Sequence, residues 1–308
     1  IYFFGFVFLF LYNAFSAIFN ALGDSKKPLM FLIFSSLLNI GLDLYFVAEL
    51  NMGVAGVAWA TLIAQGISAL LSFAFLIWKL KGIKTKEYSR FDGGMLKNMV
   101  KVAIPTIVQQ SIVSVGMVLV QSAVNRFGST FLAGYTAATK IDGIAIVPMV
   151  AVGNATSTYV AQNMGARKPE RIAQGYRICL AMSAGIGLTI ALILHFTGNG
   201  FVGLFLDSSS SSEAIAIGAQ YLSIVPLFYF VMGIMNVSNG VLRGAADMGW
   251  FLACSLCNLG VRVGLTYALA DATHGMVIMW ANPAGWAVGL ALAAFRYFQG
   301  GWKAKKII

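Results

Sequence analysis

Apolar positions in this chain do not recur at a soluble helix's period of 3.6; they run nearly unbroken for twenty residues or more, as from Leu29 to Ala48 and from Val54 to Trp78. A hydrocarbon layer about 30 Å thick is crossed by about 20 helical residues, whereas a membrane β-strand needs only about ten, in alternation. The pattern predicts an all-α integral membrane protein. Its polytopic bundle has nine transmembrane helices, over residues 1–22, 29–48, 54–78, 103–124, 133–163, 176–197, 214–242, 249–270 and 276–299. The longest polar stretch, from Lys79 to Lys101, separates three of these helices from the other six. Within it Met95 to Lys101 alternates apolar and basic residues as a surface-lying helix would. Five serines, Ser208 to Ser212, predict a loop.

Composition agrees: 59% of the 308 residues are hydrophobic and 10% charged, where a soluble domain carries about 25% charge. A water-soluble enzyme is excluded. The net charge of +10 does not point to nucleic acid, because the basic residues lie between spans. Eighteen of the 21 fall on one side of the predicted topology, Arg126 alone falls on the other, and Lys140 and Arg262 lie within spans. By the positive-inside rule the populated side is cytoplasmic, which puts the C-terminus there and gives a multi-pass plasma-membrane protein. Cys179, Cys254 and Cys257 sit in apolar runs and predict neither a disulfide framework nor a zinc site. His195 and His274 are far apart, with no metal set or Ser/His pair around them, so an intramembrane enzyme is not expected. The chain opens at Ile1 inside an apolar run, without a signal peptide's basic leader.

The chain repeats itself. Gly23-Asp24, Asn39-Ile40-Gly41-Leu42-Asp43 and Trp59-Ala60-Thr61 return as Gly244-Ala245, Asn258-Leu259-Gly260-Val261-Arg262 and Trp280-Ala281-Asn282, at offsets of 219 to 221 residues. A constant offset across three helices marks a duplicated unit. Four spans precede Gly244 after the polar stretch and one precedes Gly23, so a six-plus-six arrangement lacking its first three helices is expected. Six is even, so the repeats are parallel.

These features resemble the multidrug and toxic compound extrusion (MATE) family. The resemblance rests on Gly23-Asp24 with Pro28, the Asn39/Asp43 helix, Gly53 to Thr61, Ile104-Pro105, and Gln162-Asn163-Met164-Gly165-Ala166, and it covers essentially the whole chain. It implies two six-helix lobes: residues 1–80 a partial N-lobe, 81–102 a cytoplasmic linker and 103–308 the C-lobe. It also implies a secondary antiporter that exports organic cations or drugs in exchange for H⁺ or Na⁺.

Asp43 is an acid well inside a span, with no basic neighbour in sequence. A carboxylate there costs about 2.5–3.5 kcal/mol on insertion scales, so it must face a polar cavity, find a partner or carry a proton. Asn39 lies one turn away on the same face, and Thr61 sits at matching depth, roughly 10 Å below the turn near Asn51 and Gly53 at 1.5 Å per residue. Three oxygen-bearing side chains can converge there; they can equally be interhelical hydrogen-bonding glue. The resemblance bears on that choice, since Asn-x-x-x-Asp followed by Thr matches the N-lobe cation or proton site of the family's DinF-like branch. That pattern also has an aspartate on the first helix, which this chain does not contain. No cofactor is implied beyond bound Na⁺ or H⁺, and the only metal expected is Na⁺ at Asp43.

In the second repeat Arg262 stands for Asp43 and Asn282 for Thr61. A guanidinium cannot bind a cation or shuttle a proton, so only one lobe is expected to couple, and Arg262 should pair with a carboxylate or with helix-end carbonyls. Another branch of the family places coupling acids in the C-lobe, but spans 103–124 and 214–242 hold no inward acid, Glu213 lying just outside. Lys140 and Asp142, near the external start of their helix, point about 200° apart and need separate partners. Gln109, Gln110, Gln121, Lys140, Asp142, Asn154 and Arg262 are the candidates for a substrate cleft, and Pro148, Pro226 and Pro283 for kinks. Expected partners are small amphipathic or cationic compounds and the lipid bilayer, with no nucleic acid, for a monomer. A flippase for a lipid-linked precursor would need several cleft cations, where only Lys140 and Arg262 qualify. A fragment that does not transport is the remaining alternative.

Overall fold

A computed structural model describes residues 2–82, 91–205 and 212–304. Every regular element among them is helical: α1 (Tyr2–Ala21), α2 (Lys26–Leu44), α3 (Gly53–Lys81), α4 (Gly93–Val124), α5 (Gly128–Ala145), α6 (Val147–Gly165), α7 (Pro169–Phe205), α8 (Ser212–Ile224), α9 (Tyr229–Gly244), α10 (Met248–Leu269) and α11 (Met276–Gln299). Among the described residues eight helical runs are long and apolar enough to cross a membrane. One of them, Gly93–Gly165, is 73 residues long and holds two of the predicted spans. A 3₁₀ turn at Asn125–Phe127 and Gly128 at φ +86°, a conformation that glycine adopts without a Cβ clash, separate those two.

The chain divides into two compact units, Ile1–Phe91 and Asp92–Ile308. Of the polar stretch between the bundles, residues 83–90 lie outside the described residues, as do Ser208 to Ser211 of the serine run. Residues 93–102 are helical, but they are the opening turns of α4 rather than a separate surface helix. Asp92 starts that helix, its Oδ1 accepting from the backbone N–H of Gly94 at 2.8 Å and of Met95 at 3.0 Å.

In the first unit α3 packs along both α1 and α2. The face it buries is made of small residues, among them Gly56, Ala60, Ala64, Gly66 and Ser68, which let backbones approach where lipid offers no hydrophobic drive. Large side chains point outward instead, such as Phe3, Val54 and Trp78, each more than two thirds exposed and suited to acyl chains. In the second unit α11 packs along both α9 and α10, the same arrangement one repeat later. A close seam joins α6 to α9: a Cβ on Gly240 would stand 2.5 Å from the Gly153 carbonyl oxygen, and one on Gly244 would meet that of Ser157.

The prolines act differently from one another. Pro148 occupies the first turn of α6, where its missing N–H is harmless, after a break at Ile146. Pro226 lies in a 3₁₀ turn, Val225–Phe228, that divides α8 from α9. Helix α11 runs through Pro283 without a break.

Candidate ion-coupling site

On α2, Ser35, Asn39 and Asp43 follow at four-residue spacing and share a face; on α3, Thr61, Gln65 and Ser68 do likewise. The two stripes meet. Ser35 Oγ donates to the Ala64 carbonyl at 3.1 Å, and Ser68 Oγ donates to that of Phe31 at 3.3 Å. Tyr12 of α1 closes one side, its hydroxyl donating to the Pro28 carbonyl at 2.9 Å. Between them lies a cavity of about 210 Å³ lined by Tyr12, Ser35, Ser36, Asn39, Thr61, Gln65 and Ser68, with Leu9, Leu32 and Ala64 as its apolar wall.

The serine and tyrosine hydroxyl hydrogens are engaged between helices, and the Thr61 hydroxyl donates within its own helix to the Val57 carbonyl at 2.9 Å. The Thr61 oxygen keeps its lone pairs. Asn39 Nδ2 and Asp43 Oδ1, by contrast, are buried without a hydrogen-bond partner among the described residues. An orphaned polar group in such surroundings costs about 1–3 kcal/mol, more when charged. Asn39 and Thr61 thus share the cavity, while Asp43 sits one turn beyond its lining, immediately before a π-helical turn, Tyr45–Glu49. Such turns interrupt the i to i−4 ladder and recur at functional sites.

The second unit holds a different cluster. Asp142 Oδ1 accepts from the Tyr229 hydroxyl at 2.7 Å. The Tyr221 hydroxyl accepts from Asn282 Nδ2 at 3.2 Å. Arg262 acts on Asp142 and Tyr135 through its charge, with no direct ion pair to Asp142 among the described residues. Tyr135 and Tyr221 meet edge to face at 5.6 Å, and Tyr229 packs 6.3 Å from Trp286. All three tyrosines are buried.

Against known proteins, the family model MatE matches residues 105–268, more than half of the chain. The "Probable multidrug resistance protein YpnP" of Bacillus subtilis is 31% identical over 314 residues, covering 99% of this chain and 68% of that protein. The chain belongs to the MATE family. The "Probable multidrug resistance protein NorM" of Thermotoga maritima is 24% identical over 76% of this chain and 50% of its own length. Two solved structures share the fold. A MOP superfamily transporter from Pyrococcus furiosus superposes with TM-score 0.84 at 23% identity, covering 92% of this chain and 65% of that one. An outward-facing multidrug resistance MATE family transporter superposes with TM-score 0.81 at 22% identity, covering 94% and 64%. This MATE chain spans about two thirds of the length of these relatives.

For this MATE family member, the expected depth of Asp142 needs correction. Asp142 is not near the start of its helix: α5 begins at Gly128, so Asp142 lies about 21 Å along it at 1.5 Å per residue. The second unit's inward acid is Asp142, one of the expected cleft candidates, on α5. Lys140, two residues earlier, is exposed and stands apart from the cluster. Gln110 and Gln121 are exposed and Gln109 half-buried, and Gln121 bonds only its own helix end at Asn125, 3.4 Å away. Asn154 accepts from Arg243 Nη2 at 2.6 Å. None of these four joins Asp142 and Arg262. Sequence reasoning missed Ser35, Gln65 and Ser68, which continuing the Asn39 and Thr61 faces by one or two turns would have found. It also missed the three tyrosines, for which no sequence signal existed.

Proposed function

We propose that this protein is a transporter rather than an enzyme: a secondary antiporter of the plasma membrane, C-terminus cytoplasmic, that exports amphipathic or cationic compounds in exchange for H⁺ or Na⁺. The coupling ion enters the first unit at Asp43, with Asn39 and Thr61 as oxygen donors. One observation carries this reading: Asp43 Oδ1 is buried, unpartnered and one turn from a polar cavity of about 210 Å³. A visiting cation or proton removes the cost of that charge, and a site that prefers one helix arrangement when loaded shifts the lobe toward it. Release of substrate outward then follows from the same differential affinity. Family membership and the resistance proteins among the relatives support export as the direction. A flippase finds no support in the cationic side chains, because Lys140 is exposed away from Arg262, whose charge faces a carboxylate and phenols.

The test is efflux from vesicles under separately imposed sodium and pH gradients, comparing wild type with Asp43→Asn. One gradient drives wild-type efflux, and the variant folds but loses the coupled component. Unchanged gradient-driven efflux in Asp43→Asn defeats the assignment.

A further inference from the structure

Arg243, in the last turn of α9, is a cation with neutral partners. Its Nε donates to Ser157 Oγ at 3.2 Å and its Nη2 to Asn154 Oδ1 at 2.6 Å, both on α6. The Phe251 ring of α10 lies 5.9 Å from its Cζ. No carboxylate pairs with it among the described residues, where the ion pairs join Lys79 to Asp24 and Arg296 to Asp247. A half-buried guanidinium at a helix end is thus left short of an anion, and a charge out of water without its counter-charge is costly. It also has donors to spare. The edge formed by Nε and Nη2 is held by α6, whereas the edge formed by Nη1 and the second Nη2 hydrogen is engaged by no described residue.

One turn back on the same face of α9, Asn239 Oδ1 is buried without a hydrogen-bond partner among the described residues. An amide that turns about its last bond presents its nitrogen instead, so Asn239 adds a donor beside the open edge of Arg243. On α6, Val150 and Val147 precede Asn154 at helical spacing and are 36% and 59% exposed. They form an apolar strip roughly 10 Å long at 1.5 Å per residue.

We propose that Arg243 and Asn239 bind the phosphate head of an amphipathic molecule whose chain lies along Val150 and Val147. The planar fork matches two phosphate oxygens, Ser157 and Asn154 fix its orientation, and Asn239 reaches a third oxygen that a carboxylate does not have. The head belongs either to a phospholipid of the adjacent leaflet or to a free amphipathic phosphate, which share this chemistry. The site lies in the second unit and does not depend on the reading of Asp43.

The test follows thermal unfolding of the whole chain in detergent, as wild type and as Arg243→Gln. Phosphatidylglycerol is added against diacylglycerol as its uncharged counterpart, and hexyl phosphate against hexanol. In wild type a phosphate-bearing compound raises the unfolding temperature saturably, by several degrees more than its counterpart, and in Arg243→Gln that difference is gone. Loss of the bonds to α6 alone lowers stability but leaves the difference in place, so a merely structural arginine is told apart. A rise with phosphatidylglycerol only assigns the site to a lipid headgroup; a rise with hexyl phosphate assigns it to a free amphipathic anion. No difference between charged and uncharged compounds, or the same difference in both proteins, overturns the proposal. Should Arg243→Gln not fold, Asn239→Leu decides: it removes an orphaned amide and keeps the fold, the ligand-dependent rise shrinks, and an undiminished rise overturns the proposal.

Discussion

Arg296, in the last turn of α11, donates from Nε to Asp247 Oδ2 at 2.7 Å, tying the end of that helix to the turn between α9 and α10. Asp247 is 1% exposed, and the Trp250 ring covers the guanidinium at 5.3 Å. The first unit closes the same way: Lys79, in the last turn of α3, donates to Asp24 between α1 and α2 at 2.5 Å. The two acids hold equivalent places: the Asp24 N–H bonds the Phe19 carbonyl as that of Asp247 bonds the Leu242 carbonyl, in turns of the same pattern. Each unit thus has a strap from its third helix to the turn between its first two.

Breaking the buried strap should be costly. Arg296→Met takes the guanidinium from the buried Asp247 carboxylate, and the expected loss is about 3–5 kcal/mol in equilibrium unfolding. Adding Asp247→Leu returns most of it, because the cost belongs to a buried charge that has lost its counter-ion.

The half-buried strap is a matter of acidity. The Lys79 hydrogen bond, aided by the charges of Lys79 and Lys27, holds the Asp24 carboxyl below its ordinary 3.8 against a smaller opposing effect of desolvation. A carboxyl depressed in the folded state stabilises it above the unfolded value and stops doing so as pH falls through the folded one. Thermal unfolding of wild type and Asp24→Asn should therefore differ at pH 6 and converge as the pH drops below about 3.8.

Gly240 and Gly143 make a matched pair of glycines. Gly240→Ala pushes a methyl group into the Gly153 carbonyl oxygen and should destabilise by about 1–3 kcal/mol. A Cβ on Gly143 meets nothing within 4 Å, so Gly143→Ala should be neutral or stabilise by up to about 1 kcal/mol. Denaturation midpoints of the two variants check this.

Thr61→Val removes an oxygen while keeping the shape. Its hydroxyl hydrogen is already bonded to Val57, so only the acceptor facing the cavity is lost. Folding should be little affected, and the ion concentration for half-maximal efflux should rise about tenfold.

The spans were legible because a bilayer demands some twenty apolar residues in a row, and Leu29 to Ala48 or Val54 to Trp78 could satisfy nothing else. Helix ends were less so. Helix α7 begins at Pro169 where hydropathy suggested 176, since polar residues such as Glu170 and Gln174 continue a helix once it has left the hydrocarbon. Depth arithmetic paired Asp43 with Thr61 across one short turn, whereas the cavity is shared by Asn39 and Thr61 and Asp43 lies one turn outside its lining. The cluster around Asp142 draws on α5, α8, α9, α10 and α11, and no spacing rule joins residues 120 positions apart.

Helices α6 and α9 run parallel, Gly153 against Gly240 and Ser157 against Gly244, with backbones touching. A seam this close, with Arg243 also bonded across it to Ser157 and Asn154, leaves little room for one helix to slide on the other. Bending is left to the breaks beyond it, at Ile146 and at Val225–Phe228. The bond from Tyr229 to Asp142 runs between the residues beside those joints. It acts as a latch across the elbow of the second unit: whatever loosens it frees both joints together, and whatever holds it makes the two helices pivot as a single lever.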